Sequence, residues 1–179
     1  MKNKLDTKLL DKLSIENLEI VKSEAEMNLE DLSSSENVIT NKSNTLFQVL
    51  IVVFTTIVGY LVSQINNFII KSILIQISII LCVVFGFVLF LLIKVIYPKK
   101  VALKGSPPSN LIQDYIFSKK SNKSHTRQIL RNRVYSLNIA IESNKKNLKN
   151  RVRLFDWANK SILIGLIIVL IYSAVYFFC

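Results

Sequence analysis

Residues 46–65 read LFQVLIVVFTTIVGYLVSQI, twenty consecutive positions without a charge. As a helix rising ~1.5 Å per residue they reach about 30 Å, the thickness of a bilayer's hydrocarbon layer. Residues 73–97, ILIQISIILCVVFGFVLFLLIKVIY, form a second such run with one charge, Lys94, a turn from its end. From there the ammonium can snorkel to the headgroups. A third run, SILIGLIIVLIYSAVYFF at 161–178, is uncharged and has only Cys179 behind it. Three stretches of this length cannot be wrapped as soluble-core helices by the polar residues of a 179-residue chain. The expected fold class is therefore all-α: a three-pass membrane protein with TM1 at 46–65, TM2 at 73–97 and TM3 at 161–179.

The remaining segments carry nearly all the charge. Residues 1–45 hold six Lys and nine Asp or Glu, whereas residues 98–160 hold fifteen Lys or Arg and three acids. Lys and Arg near membrane ends resist translocation, so segment 98–160 is expected on the cytoplasmic side. The short turn at 66–72, with its single Lys71, then faces outward, the N-terminus lies inside and Cys179 lies outside a bacterial inner membrane. Aromatic placement agrees: Tyr97 and Trp157 fall at the inner interface, and Tyr60, Tyr172 and Tyr176 toward the outer one. The opening MKNKLDTK lacks the early apolar core of a cleaved signal peptide, and two cysteines exclude a disulfide-stapled scaffold.

Within the acidic segment, Leu18, Val21, Ala25, Leu29 and Leu32 recur at helical spacing along one face, with Ser14 placed to cap the start. Ser33 and Glu36 have capping-box spacing, which predicts a second helix starting near Ser34 and running into TM1. Nine carboxylates would be repelled by anionic lipid, so this segment is expected to pack on protein. Beyond TM2, Pro98 ends the helix and Gly105-Ser106-Pro107-Pro108-Ser109 reads as a loop. A short helix is expected at 110–118 and a solvated turn at 119–124. From about His125 no residue breaks the helix. Leu130, Val134, Leu137, Ile141, Asn144, Leu148, Arg151, Phe155, Ala158 and Ile162 alternate in steps of four and three, a heptad seam leading into TM3. About 35 residues of this helix would project about 50 Å from the membrane and need a partner. The acidic helix of the same chain and the same helix of a second protomer both fit. A polar Asn at a seam position is a device for setting register and oligomer number, and the chain is expected to form homo-oligomers through Leu130, Val134, Leu137, Ile141, Asn144, Leu148 and Phe155.

Basic residues wrap more than one face of that helix without interleaved aromatics, so no nucleic-acid groove is expected. Arg127, Arg131 and Arg133 are the candidate ligand-binding residues, because a guanidinium can hold a phosphate bidentately. Thr55 and Thr56 are candidate pore-lining positions. Gly59, Gly86 and Gly165 suit close helix packing. One His and two distant Cys make no metal site, and no Walker, dinucleotide-binding or nucleophile-elbow motif occurs, so neither an enzyme nor a cofactor is expected.

The layout resembles the transmembrane effector family of bacterial Pycsar antiphage systems and, more distantly, the two-helix SLATT membrane effectors. The likeness is carried by Asn41-Lys42 ahead of TM1, Pro98 behind TM2, and Arg133-Val134-Tyr135-Ser136-Leu137-Asn138-Ile139 followed by Lys145-Lys146-Asn147-Leu148 ahead of TM3. It implies an effector that stays inert until a cyclic nucleotide or a cytoplasmic protein triggers it, then assembles and disrupts the inner membrane. A passive membrane anchor recruiting a cytoplasmic partner and a constitutive, holin-like channel are the alternatives.

Overall fold

A computed structural model of the chain describes residues 7–64, 72–97 and 122–178. They form four helices and no strand: α1 (Thr7–Leu10), α2 (Ile15–Ser63), α3 (Ile73–Ile96) and α4 (Asn122–Phe178). Three of them, α2, α3 and α4, are long and apolar enough to cross a membrane. The expected loop at 105–109 and helix at 110–118 lie outside the described residues, as does Cys179.

Helix α2 begins where Ser14 predicts, its hydroxyl accepting from the Asn17 amide at 3.2 Å. It then runs unbroken to Ser63, so no new helix starts near Ser34. The reason is a seam that continues beyond Leu32. Leu18, Ala25, Leu29, Leu32, Glu36, Ile39, Ser43, Leu46 and Leu50 all lie on the buried or half-buried face, and Leu29, Glu36, Ser43 and Leu50 are buried at seven-residue intervals. A face that stays inward through the polar positions 33–45 has no need of an internal cap. Helix α4 starts at Asn122, a turn earlier than expected, so residues 122–124 are helical.

The chain divides into two compact units, one of Met1–Glu36 with Lys99–Leu148, the other of Asn37–Pro98 with Lys149–Cys179. In the first, Leu10, Leu18 and Val134 form a small apolar core with Leu13, Val21 and Leu130 against it. Contacts advance in the same direction along the N-terminal segment and α4, from Asp11 beside Arg131 to Glu26 beside Arg133. The two segments therefore pack in parallel.

The second unit is a three-helix core built around α3. Of the apolar window in each long helix, 33% is buried for α3 and 6% for α2 and for α4, so α3 is the central element of this unit. Leu50 of α2, Phe85, Val88, Leu89, Leu91 and Leu92 of α3, and Ala158 of α4 make the core. Contacts between α3 and α4 run in opposite directions: Tyr97 meets Arg151, Val84 meets Gly165, and Gln76 accepts from the Tyr172 hydroxyl. Lys94 Nζ lies over the Phe90 ring at 4.3 Å, a cation–π contact one turn back along α3 rather than a reach toward the end of the run.

At Gly165 α3 and α4 approach closely. A Cβ there would sit 2.5 Å from Val84 Cγ1, whereas one at Gly59 would meet nothing within 4 Å. Valine is held to essentially one rotamer in a helix, so it cannot swing aside. Gly165→Ala is expected to destabilise the second unit by about 1–3 kcal/mol, the usual cost of overpacking. Gly59→Ala, in open space within α2, should instead stabilise by up to about 1 kcal/mol. Unfolding in a denaturing detergent series measures both, and equal effects would contradict the close approach.

Candidate functional site

The three candidate arginines lie in the first unit, and all three face the N-terminal segment. Arg131 Nε pairs with Asp11 Oδ1 at 3.1 Å. Arg127 donates to the Asp11 backbone carbonyl. Arg133 pairs with Glu26 Oε1 at 3.1 Å, with the two side chains 12% and 20% exposed, against 35% and 53% for Arg131 and Asp11. The inner pair is thus the better shielded of the two, and the outer one stands in water.

Asp11, Ser124, Arg127, Gln128 and Arg131 line an open polar pocket of about 180 Å³. Gln128 Oε1 is buried with no hydrogen-bond donor among the described residues. Two guanidinium groups converge there on one backbone carbonyl and one carboxylate. The Asp11 carboxylate occupies Arg131, so any anion entering this pocket competes with it. Arg133 is committed to Glu26 and does not line the pocket.

The heptad seam of α4 points inward. Val134, Leu137 and Asn144 are buried, and Leu130, Ile141, Leu148 and Phe155 are half-buried. Asn144 is 0% exposed, so it does not drift to the solvent face. Within one chain this seam is already packed: Val134 and Leu130 belong to the small core with α1 and α2, and Phe155 packs against the three-helix core. Thr55 and Thr56 are exposed, and both hydroxyls donate to the Val52 carbonyl at 2.9 Å. With its hydroxyl satisfied inside the helix, neither threonine requires water beside it.

Sequence reasoning missed the principal polar junction of the second unit. Arg151, which interrupts the apolar seam, is 6% exposed. Its Nη1 donates to Thr40 Oγ1 at 3.1 Å and its Nη2 to the Tyr97 carbonyl at 3.3 Å, while Nε is buried without an acceptor among the described residues. Tyr97 is the C-cap of α3, so the cation sits at the negative end of that helix and satisfies one of its orphan carbonyls. The available signal was the seam on α2, which read past Leu32 brings Ile39 and Thr40 to the inner face.

Among the described residues no group of three His, Cys, Asp or Glu side chains comes together to hold a metal ion. Compared with known proteins, the chain matches no protein-family model, no curated protein and no solved structure.

The difference in shielding between the two ion pairs has a measurable consequence. A double-substitution cycle on Glu26 and Arg133 (each to Gln) is expected to give a coupling of about 1–3 kcal/mol, as for a shielded charged hydrogen bond. The same cycle on Asp11 and Arg131 should give ~0–1 kcal/mol. Hydrogen exchange of the backbone amides at 15–30 reads both, and equal couplings would contradict the shielding difference.

Proposed function

We propose that this chain is a membrane effector of the bacterial inner membrane, which oligomerises and permeabilises it on an infection-linked signal, as in antiphage abortive infection. The observation that carries the reading is the pairing of the acidic segment with the basic one. Asp11 and Glu26 occupy the arginines that would otherwise meet an anionic trigger. The reading places the N-terminus and the basic segment in the cytoplasm. Support for a shared side comes from their packing together in one unit, and support for the inner side from the +12 net charge of residues 98–160.

Energetics suit a restraint that can be released. The outer pair is worth ~0–1 kcal/mol and a competing phosphate displaces it cheaply. Moving a two-state equilibrium from 1:99 to 99:1 takes about 5.5 kcal/mol of differential binding. Displacing Asp11 alone is too little, so release must extend to Glu26 and to the Leu10, Leu18 and Val134 contacts. The trigger in this reading is a phosphate-bearing ligand such as a cyclic nucleotide, or a cytoplasmic protein with an acidic surface. Seam residues freed from α2 would then be available to a second protomer, with Thr55 and Thr56 among the positions lining a shared pore.

Membrane potential, read by dye fluorescence in bacteria expressing the full chain, tests this. The Asp11→Lys/Glu26→Lys chain is expected to depolarise cells without a trigger while the parent chain does not. Depolarisation by both would point to a constitutive channel, and by neither to a passive anchor.

A further inference from the structure

In the second unit a groove of about 500 Å³ opens between α2 and α4, lined by Asn41, Lys42, Leu46, Val49, Phe155 and Asn159, with Thr45 on its rim. Its volume lies in the range of ligand-sized cavities. One end is polar, formed by Asn41 and Lys42, and most of the remaining lining is apolar. The polar end falls at a sharp boundary in the sequence, because Lys42 is the last charge of α2 before the uncharged residues 43–63. Lys42 is exposed and has no ion-pair partner among the described residues. Thr45 is satisfied by its own helix, donating to the Asn41 carbonyl at 3.1 Å. Lys160, by contrast, is already paired with Asp156 at 2.8 Å.

Measured from the Thr40–Arg151 contact, Val49 is nine residues along α2 and Asn159 eight along α4. Each lies about 12–14 Å further into the apolar layer, at matching depth. An occupant must therefore present a negative group at Lys42 and apolar length along Phe155, Leu46 and Val49, down to the depth of Asn159. We infer that this groove binds one anionic phospholipid of the inner leaflet, its phosphate on Lys42 and an acyl chain along Phe155, Leu46 and Val49. The inference rests on the helices spanning a bilayer with residues 37–45 at the inner face, and it is independent of the effector reading.

Native mass spectrometry of the full chain released from nanodiscs of equimolar phosphatidylglycerol and phosphatidylcholine tests it. About a fivefold excess of phosphatidylglycerol is expected to remain bound, the preference that one lysine at a membrane surface confers. Lys42→Gln should lower the excess about fivefold, and Val49→Phe, which fills the groove and leaves the charge, should lower it equally. Lys160→Gln should leave it unchanged. Because residues 42 and 49 are exposed, both substituted chains should fold, and their thermal unfolding is read alongside. An excess that survives either Lys42→Gln or Val49→Phe overturns the inference. So does the absence of any excess in the parent chain, or a lipid-free dimer with the groove closed by a second copy.

Discussion

A guanidinium buried between three helices has to find acceptors, and Arg151 finds them on α2 and α3 while standing on α4. Removing a charge from water costs several kcal/mol unless its donors are met. Thr40 and the Tyr97 carbonyl must therefore converge on one point at the start of the apolar runs. A slip of one turn between any two of the three helices would separate a donor from its acceptor by about 5 Å. Apolar packing cannot supply this precision, because one leucine-lined surface slides over another at little cost. The close approach of Gly165 to Val84 and the Tyr172–Gln76 hydrogen bond repeat the same α3–α4 register further along. Arg151 thus sets the register, and the leucine-rich core of α3 fills it.

The first unit is held differently. Among its described residues the apolar cluster has three buried residues with three more against it, and its polar contacts join opposite charges from segments far apart in the chain. Such an arrangement responds to ionic strength and to competing anions, because the outer pair is half in water. The second unit is held, among its described residues, by seven buried apolar side chains and by the Arg151 contacts. This difference underlies the proposed effector role, since a signal must act on the part of a protein that a few kcal/mol can rearrange.

Much of this fold was legible in the sequence. The three apolar runs stand out by length and lack of charge, and the α4 seam from Leu130 to Ile162 was readable because every step is three or four residues. Two features were hidden for physical reasons. Ser33 and Glu36 carry a helix-start pattern, yet a capping box has meaning only where backbone amides lack partners, and here the helix was already formed on both sides. Arg151 stands as one charge in an apolar stripe, and the stripe alone does not show that burial makes it the polar junction of its unit. The pairing of Arg131 with Asp11 and of Arg133 with Glu26 was foreshadowed by the opposite charge of the two segments. Which residues met could not be read, because exposed charges at helical spacing fit several registers equally well.

The central claim is that the acidic segment clasps the basic segment of its own chain. Cross-linking of a Glu26→Cys/Arg133→Cys chain, its native Cys82 and Cys179 replaced by Ser, with a short bismaleimide in intact membranes, followed by electrophoresis, tests it most directly. A bismaleimide is needed because two long side chains that meet at their tips leave a gap a direct disulfide cannot close. A cross-link within one chain, migrating as a compact monomer, is the predicted result. A cross-linked dimer, or no cross-link with the reagent, would contradict it.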